Sequence, residues 1–244
     1  MDATVTYLLR ILPALALFAI VLVTLQPTAK FRIVLYVALF ILLRDALTPL
    51  GLWSLGSHRG AFWLRLTPDP LFLMLFALGA VLLVLVMWYA DRENRRWVTW
   101  FHGSPGPGLL LGLFGGLVAT APLAIAYRFI DLADRGGAVA LPVLLAGFVF
   151  AMAGNLYEEF LFRGYVLGLL AERRPLAAAG WLSGLLFALC HVFLAVTVTD
   201  VGAPLLLFVL WEGLVAGFVG ARRGVIPAAL AHGGTVFLLS SGLL

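Results

Sequence analysis

Apolar runs long enough to cross a bilayer dominate this chain, and they constrain its fold more than any motif. A bilayer core is spanned by about 20 apolar residues in helical form, and such runs occupy approximately residues 5–26, 31–53, 69–90, 107–130, 139–157, 176–198, 203–221 and 225–243. In lipid every backbone N–H and C=O must be satisfied within the protein, which leaves helices as the form these runs take. The predicted fold class is all-α, a polytopic transmembrane helical bundle of about eight helices. Their connections are too short to fold as soluble domains. Residues 1–130, the N-terminal helices, and 131–244, the half richer in polar motifs, are therefore expected to form one membrane domain.

Charge supports this reading and adds an orientation. Charged residues make up 11% of the chain, against about a quarter in soluble domains, which excludes a water-soluble globule. The basic residues stand in pairs and triplets between the apolar runs rather than along one stripe, so nucleic acid is excluded as a partner. The odd-numbered loops carry Lys30, Arg32, Arg92, Arg95, Arg96, Arg173, Arg174, Arg222 and Arg223, and the even-numbered ones Arg59, Arg65, Arg128 and Arg135. That asymmetry places the odd loops in the cytoplasm and both termini outside. Asp2 precedes the first run and TLQPTAK follows it, so it lacks the basic start and small-residue cleavage site of a signal peptide and reads as a retained helix. Arginine outnumbers the single Lys30, which suits a GC-rich bacterial genome and a bacterial inner membrane. The longest polar connections, 54–68 and 91–106, read as solvated loops. Cys190 is the one cysteine, which excludes an internal disulfide and every multi-cysteine metal pattern.

Ionisable groups inside a span are costly unless paired or hydrated, and mark function by default. Here they are Arg44 and Asp45 in the second run, Glu158, Glu159 and Arg163 beyond the fifth, His191 in the sixth, Glu212 in the seventh and His232 in the eighth. Arg44 and Asp45 are assigned to an interhelical contact. The apolar pattern continues through Leu161, Phe162, Tyr165, Val166 and Leu169, so one helix carries on past the two acids, with Gly147 and Gly154 as points for a bend. Glu159 and Arg163 stand four apart with the acid first, the favoured order for an ion pair. Glu158 lies about 100° further round and is free for proton transfer or metal ligation. Counted from the cytoplasmic helix ends, Glu158 and His191 are both about 20 Å deep but His232 only about 10 Å, so the last helix must tilt or begin deeper. One carboxylate and two imidazoles, Glu158, His191 and His232, can hold a divalent metal, zinc first among candidates, with a position open for water. Without metal, Glu158 can take a proton from water while the imidazoles orient it or stabilise charge. Either arrangement is hydrolytic.

Three blocks carry a resemblance. EEFLFR at 158–163, FALCH ending at His191 and AALAH ending at His232 resemble, over roughly residues 140–240, the CPBP family of CAAX-protease and bacteriocin-processing intramembrane endopeptidases. The resemblance implies that Glu158 and His191 activate water, that His232 ligates a metal or donates to an oxyanion, and that Glu159 and Arg163 complete the first motif. It implies a membrane-anchored protein or peptide substrate cut near its C-terminus, whether prenylated, bacteriocin-like or bearing a sorting tag. The family often has Asn four residues after the last His, where this chain has Val236. The donor role falls to Thr235, Asn155 or a backbone N–H instead. Oligomeric state is left open.

Other chemistries fit less well. The serine nearest to a rhomboid-type Gly-x-Ser-Gly loop is Ser183, preceded at two residues by Trp181. Cys190 and His191 are adjacent and cannot face each other on a helix, and HExxH is absent. The rival from another class is a non-catalytic membrane protein, an immunity factor, scaffold or transporter, holding a buried Glu/Arg/His network.

Overall fold

The computed structural model describes residues 3–244, so Asp2 and the reading of what precedes the first helix lie outside it. Eight helical segments follow one another: α1 (Ala3–Leu25), α2 (Ala29–Leu47), α3 (Pro70–Ala90), α4 (Pro105–Tyr127), α5 (Leu141–Ala171), α6 (Leu176–Val198), α7 (Ala203–Arg223) and α8 (Val225–Ser240). All but α8 are long and apolar enough to cross a membrane. The chain is an integral, multi-pass membrane protein. Leucines on α1, α3 and α4 such as Leu17, Leu82 and Leu110 stay exposed, as lipid-facing side chains do.

Two helix pairs approach closely because glycine lets them. Gly180 and Gly184 of α6 face Gly213 and Gly217 of α7, and a Cβ at Gly180 would stand 2.6 Å from the Gly217 carbonyl oxygen. On α4, a Cβ at Gly112 would stand 2.6 Å from the Pro227 carbonyl oxygen of α8. Small residues at such crossings permit the backbone contact that drives helix association in lipid.

The connections segregate to two faces, as the charge asymmetry requires. On the odd-loop face, Lys30 meets Glu172 at 2.7 Å and Trp97 donates to Glu172 at 3.0 Å. On the other, Arg65 donates to the carbonyls of Gly137 and Leu239, and Arg135 to that of Leu244.

The 54–68 connection is not the solvated loop expected, and the 91–106 connection is one only in part, with residues 101–106 exposed. Residues Trp53–His58 (β1) and Ala61–Leu66 (β2) form an antiparallel hairpin, turning at Arg59 and Gly60, which both have positive φ as a two-residue hairpin turn demands. Phe62 stacks on Phe208 at 5.0 Å, and Phe62, Leu64 and Arg65 are buried. In the 91–106 segment Asp91 and Asn94 are buried, with Asp91 accepting from Arg32 at 2.7 Å, Tyr36 at 3.0 Å and Asn94 at 2.7 Å. Its middle meets the last helix. The carbonyls of Thr99 and Trp100 accept from the backbone N–H groups of Val225 and Ile226 at 2.9 and 3.1 Å, capping the start of α8. Gly224, at φ +94°, has no room for a side chain, since a Cβ would lie 2.5 Å from the Thr99 oxygen. The last helix thus begins under a folded-in loop.

Candidate active site

The site is built where two helices, α5 and α6, depart from regular winding. In α5 the i→i+4 ladder gives way to wider π turns at Phe150–Gly154 and again at Phe160–Val166, leaving one regular turn, Leu156–Glu159, between them. In α6 the regular helix stops at Leu189, the chain tightens so that His191 N–H bonds the Ala188 carbonyl at 2.9 Å, and Leu194–Val198 is again a π turn. Such turns are rare and concentrate at functional sites. They also advance less per residue than an α-helix. This brings Glu159 closer to the odd-loop face than a straight count allows, and with the deep start of α8 it removes the mismatch in depth between the α5 acids and His232.

The spacing-based pair forms as expected: Arg163 Nη1 donates to Glu159 Oε1 at 2.8 Å, both side chains fully buried. The same oxygen accepts from His232 Nδ1 at 2.8 Å. Arg163 Nη2 donates to the Gly213 carbonyl on α7 at 2.9 Å, so one ion pair ties α5, α7 and α8 together. This link between His232 and Glu159 was not legible in the motif spacing. His232 Nε2 lies 3.8 Å from Glu212 Oε2, which accounts for Glu212 as a neighbour of the histidine.

His191 Nδ1 is 2.8 Å from the Phe187 carbonyl. A carbonyl only accepts, so Nδ1 carries the proton and Nε2 of the neutral ring presents its lone pair. Glu158, beside the buried Glu159, is the freer acid. It is only partly enclosed, and among the described residues no protein group hydrogen-bonds its carboxylate.

Glu158, His191, His232 and Glu212 line one cavity of about 690 Å³ together with Arg44 and Asn155. The rest of its wall is apolar, drawn from α1, α2, α3, the hairpin and α7, and Val236 contributes to it. Leu8 of α1 and Leu75, Leu82 and Val86 of α3 line the cavity and remain exposed, so its wall is least closed along these two helices.

Each imidazole has one nitrogen held by an outer partner, the usual support of a metal-ligating histidine. Among the described residues, however, no three His, Cys, Asp or Glu side chains are grouped to hold an ion. Of the other donors expected, Thr235 is fully buried away from the cavity with its hydroxyl on the Ala231 and Gly116 carbonyls. Asn155 lines the cavity with its amide nitrogen on the Ala151 carbonyl at 2.7 Å. Arg44 makes the interhelical contact assigned to it, Nη2 donating to the Cys190 carbonyl at 2.7 Å.

Residues 139–238 match the family model described as Type II CAAX prenyl endopeptidase Rce1-like, which bears out the resemblance carried by the three motifs. No curated protein and no solved structure matches the chain.

Proposed function

We propose, from the match of residues 139–238 to the Rce1-like type II CAAX prenyl endopeptidase family model, that this chain is an intramembrane endopeptidase using Glu158 and His191 to activate water. The observation that carries the reading is the meeting of Glu158, His191 and His232, from three helices, on one largely apolar cavity. A membrane-anchored protein or peptide, prenylated or otherwise held in the bilayer near its C-terminus, enters between α1 and α3 with its apolar part against the cavity wall. The membrane is the bacterial inner membrane, with the odd-loop face in the cytoplasm.

The chemistry is written on the chain's own groups. Water sits between the Glu158 carboxylate and the His191 Nε2. Glu158 takes its proton as the oxygen attacks the scissile carbonyl carbon, and the carbonyl π electrons move onto oxygen. When the tetrahedral intermediate collapses the C–N bond breaks, and the proton on Glu158 passes to the leaving nitrogen, so water and one amide bond become a carboxylic acid and an amine. His232 is kept in one orientation by Glu159, which Arg163 holds in turn. General acid–base catalysis of this kind contributes about 10²–10⁴-fold. These steps are written without a metal, since among the described residues no three ligand groups are grouped to hold one. Cleavage that survives a chelator supports this; loss restored by zinc would place an ion on Glu158, His191 and His232.

The direct test is cleavage of an internally quenched, S-farnesylated peptide ending in a CAAX box by the purified protein in detergent. Glu158→Gln is expected to slow it at least about 100-fold, and wild-type and variant at equal rates would overturn the reading. The non-catalytic alternative draws on the Glu159–Arg163–His232 network, which fastens helices whether or not chemistry occurs. Glu158 lies outside that network, so its substitution separates the two.

A further inference from the structure

Arg44 stands in the apolar run of α2, only 9% exposed, on the wall of the same cavity. Its guanidinium is fixed on most sides. Nε donates to Asp45 Oδ1 at 2.8 Å, and Nη2 lies 2.7 Å from that oxygen and 2.7 Å from the carbonyl of Cys190, the residue before His191. The Phe40 ring lies 4.9 Å from the guanidinium carbon and 5.9 Å from the His191 ring, so one aromatic face positions both groups. Nη1 is buried and has no partner.

A buried charged donor left unpaired is costly, and Arg44 is a wall residue of the cavity that Glu158 and His191 also line. Both fork edges of the guanidinium include Nε or Nη2, which are engaged, so a carboxylate cannot be gripped by two parallel bonds. The vacant nitrogen suits a single oxygen. Asp45 offsets the resting charge, which favours an atom whose negative charge develops during reaction over a ligand already anionic. The other candidates are poorer: Val236 cannot donate, Thr235 has its hydroxyl on the Ala231 and Gly116 carbonyls, and Asn155, neutral, has one of its two amide N–H groups committed to the Ala151 carbonyl. Resting on the proteolytic reading above, we propose that Arg44 Nη1 is the donor to the scissile carbonyl oxygen as it becomes an oxyanion. Arg44 is thereby a catalytic residue contributed by the N-terminal half, outside the matched region.

Removing one such donor lowers kcat by about 10²–10³. The farnesylated CAAX peptide is cleaved by wild type, Arg44→Met, Asn155→Leu and Glu158→Gln, each checked for accumulation and thermal unfolding in detergent. The expected result for Arg44→Met is a kcat lower by about 100-fold or more with KM within about twofold of wild type and unfolding near wild type. If that variant does not accumulate, Arg44→Met combined with Asp45→Leu decides in the same way, because it leaves neither charge buried alone. A kcat at the wild-type value overturns the proposal, as does a raised KM at intact kcat, which is ground-state binding. A kcat loss in Asn155→Leu alone assigns the donor to Asn155 and also overturns it. Peptide left intact by wild type, or cut equally by Glu158→Gln, removes the proteolytic reading and this inference with it. Cleavage lost in Glu158→Gln but kept in Arg44→Met removes only the inference.

Discussion

Two glutamates adjacent in sequence have opposite surroundings, and the difference defines what each can do. Glu159 is fully buried between Arg163 and His232, each at 2.8 Å, whereas Glu158 faces the cavity. Breaking a buried pair by removing one partner leaves an uncompensated charge and costs about 3–5 kcal/mol. Arg163→Met is therefore expected to lower thermal stability in detergent by that order, while Glu158→Gln unfolds at the wild-type temperature; equal destabilisation would mean that both acids are structural. The Glu159–Arg163 pair was readable because four residues on a helix put two side chains on one face. The His232 bond to Glu159 was not, because contacts between helices depend on where each begins and how tightly it winds. Arg44 shows the same limit: its place in an apolar run marked it as unusual, yet only packing reveals that its partner is the carbonyl before His191.

At the scale of elements, glycine and π turns determine how close the helices that carry the candidate site come. Gly180 is expected to tolerate nothing larger, because the α7 backbone occupies the space of its Cβ. Gly180→Ala should destabilise the protein by about 1–3 kcal/mol, as overpacking does. Gly79→Ala on α3, with nothing within 4 Å, should be neutral or stabilising by up to about 1 kcal/mol. Thermal unfolding of the two variants measures the contrast, and equal effects would contradict the close α6–α7 contact. The helices themselves were legible from apolar length alone. The 53–66 hairpin was not, because a short two-stranded element with Ser, Gly, His and Arg among its apolar residues resembles a polar loop until Phe62 and Leu64 find a surface to cover.

For the whole molecule, loop charge and helix count together predict an orientation. Every odd-numbered connection meets one face and every even-numbered one the other, so a single labelled site on each reports the topology. In a Cys190→Ala background, Arg59→Cys should react with a membrane-impermeant maleimide on intact cells, and Arg173→Cys only after permeabilisation; the reverse pattern would invert the protein in the membrane. The three motifs on α5, α6 and α8 already indicated a common site. The share of α1 and α3 in the cavity wall could not be read from them, since the side chains there are largely plain leucine and valine. The cavity that Glu158 lines is walled largely by apolar side chains of membrane-spanning helices, which is the ground on which a membrane-anchored substrate is proposed.

The most direct measurement is a mass-spectrometric profile of membrane-protein termini from cells expressing wild type or Glu158→Gln at equal levels. The account predicts a membrane-anchored precursor that keeps its terminal segment only in the Glu158→Gln cells and is processed again when wild type is restored. Identical termini in the two profiles, with both proteins folded in the membrane, would contradict it.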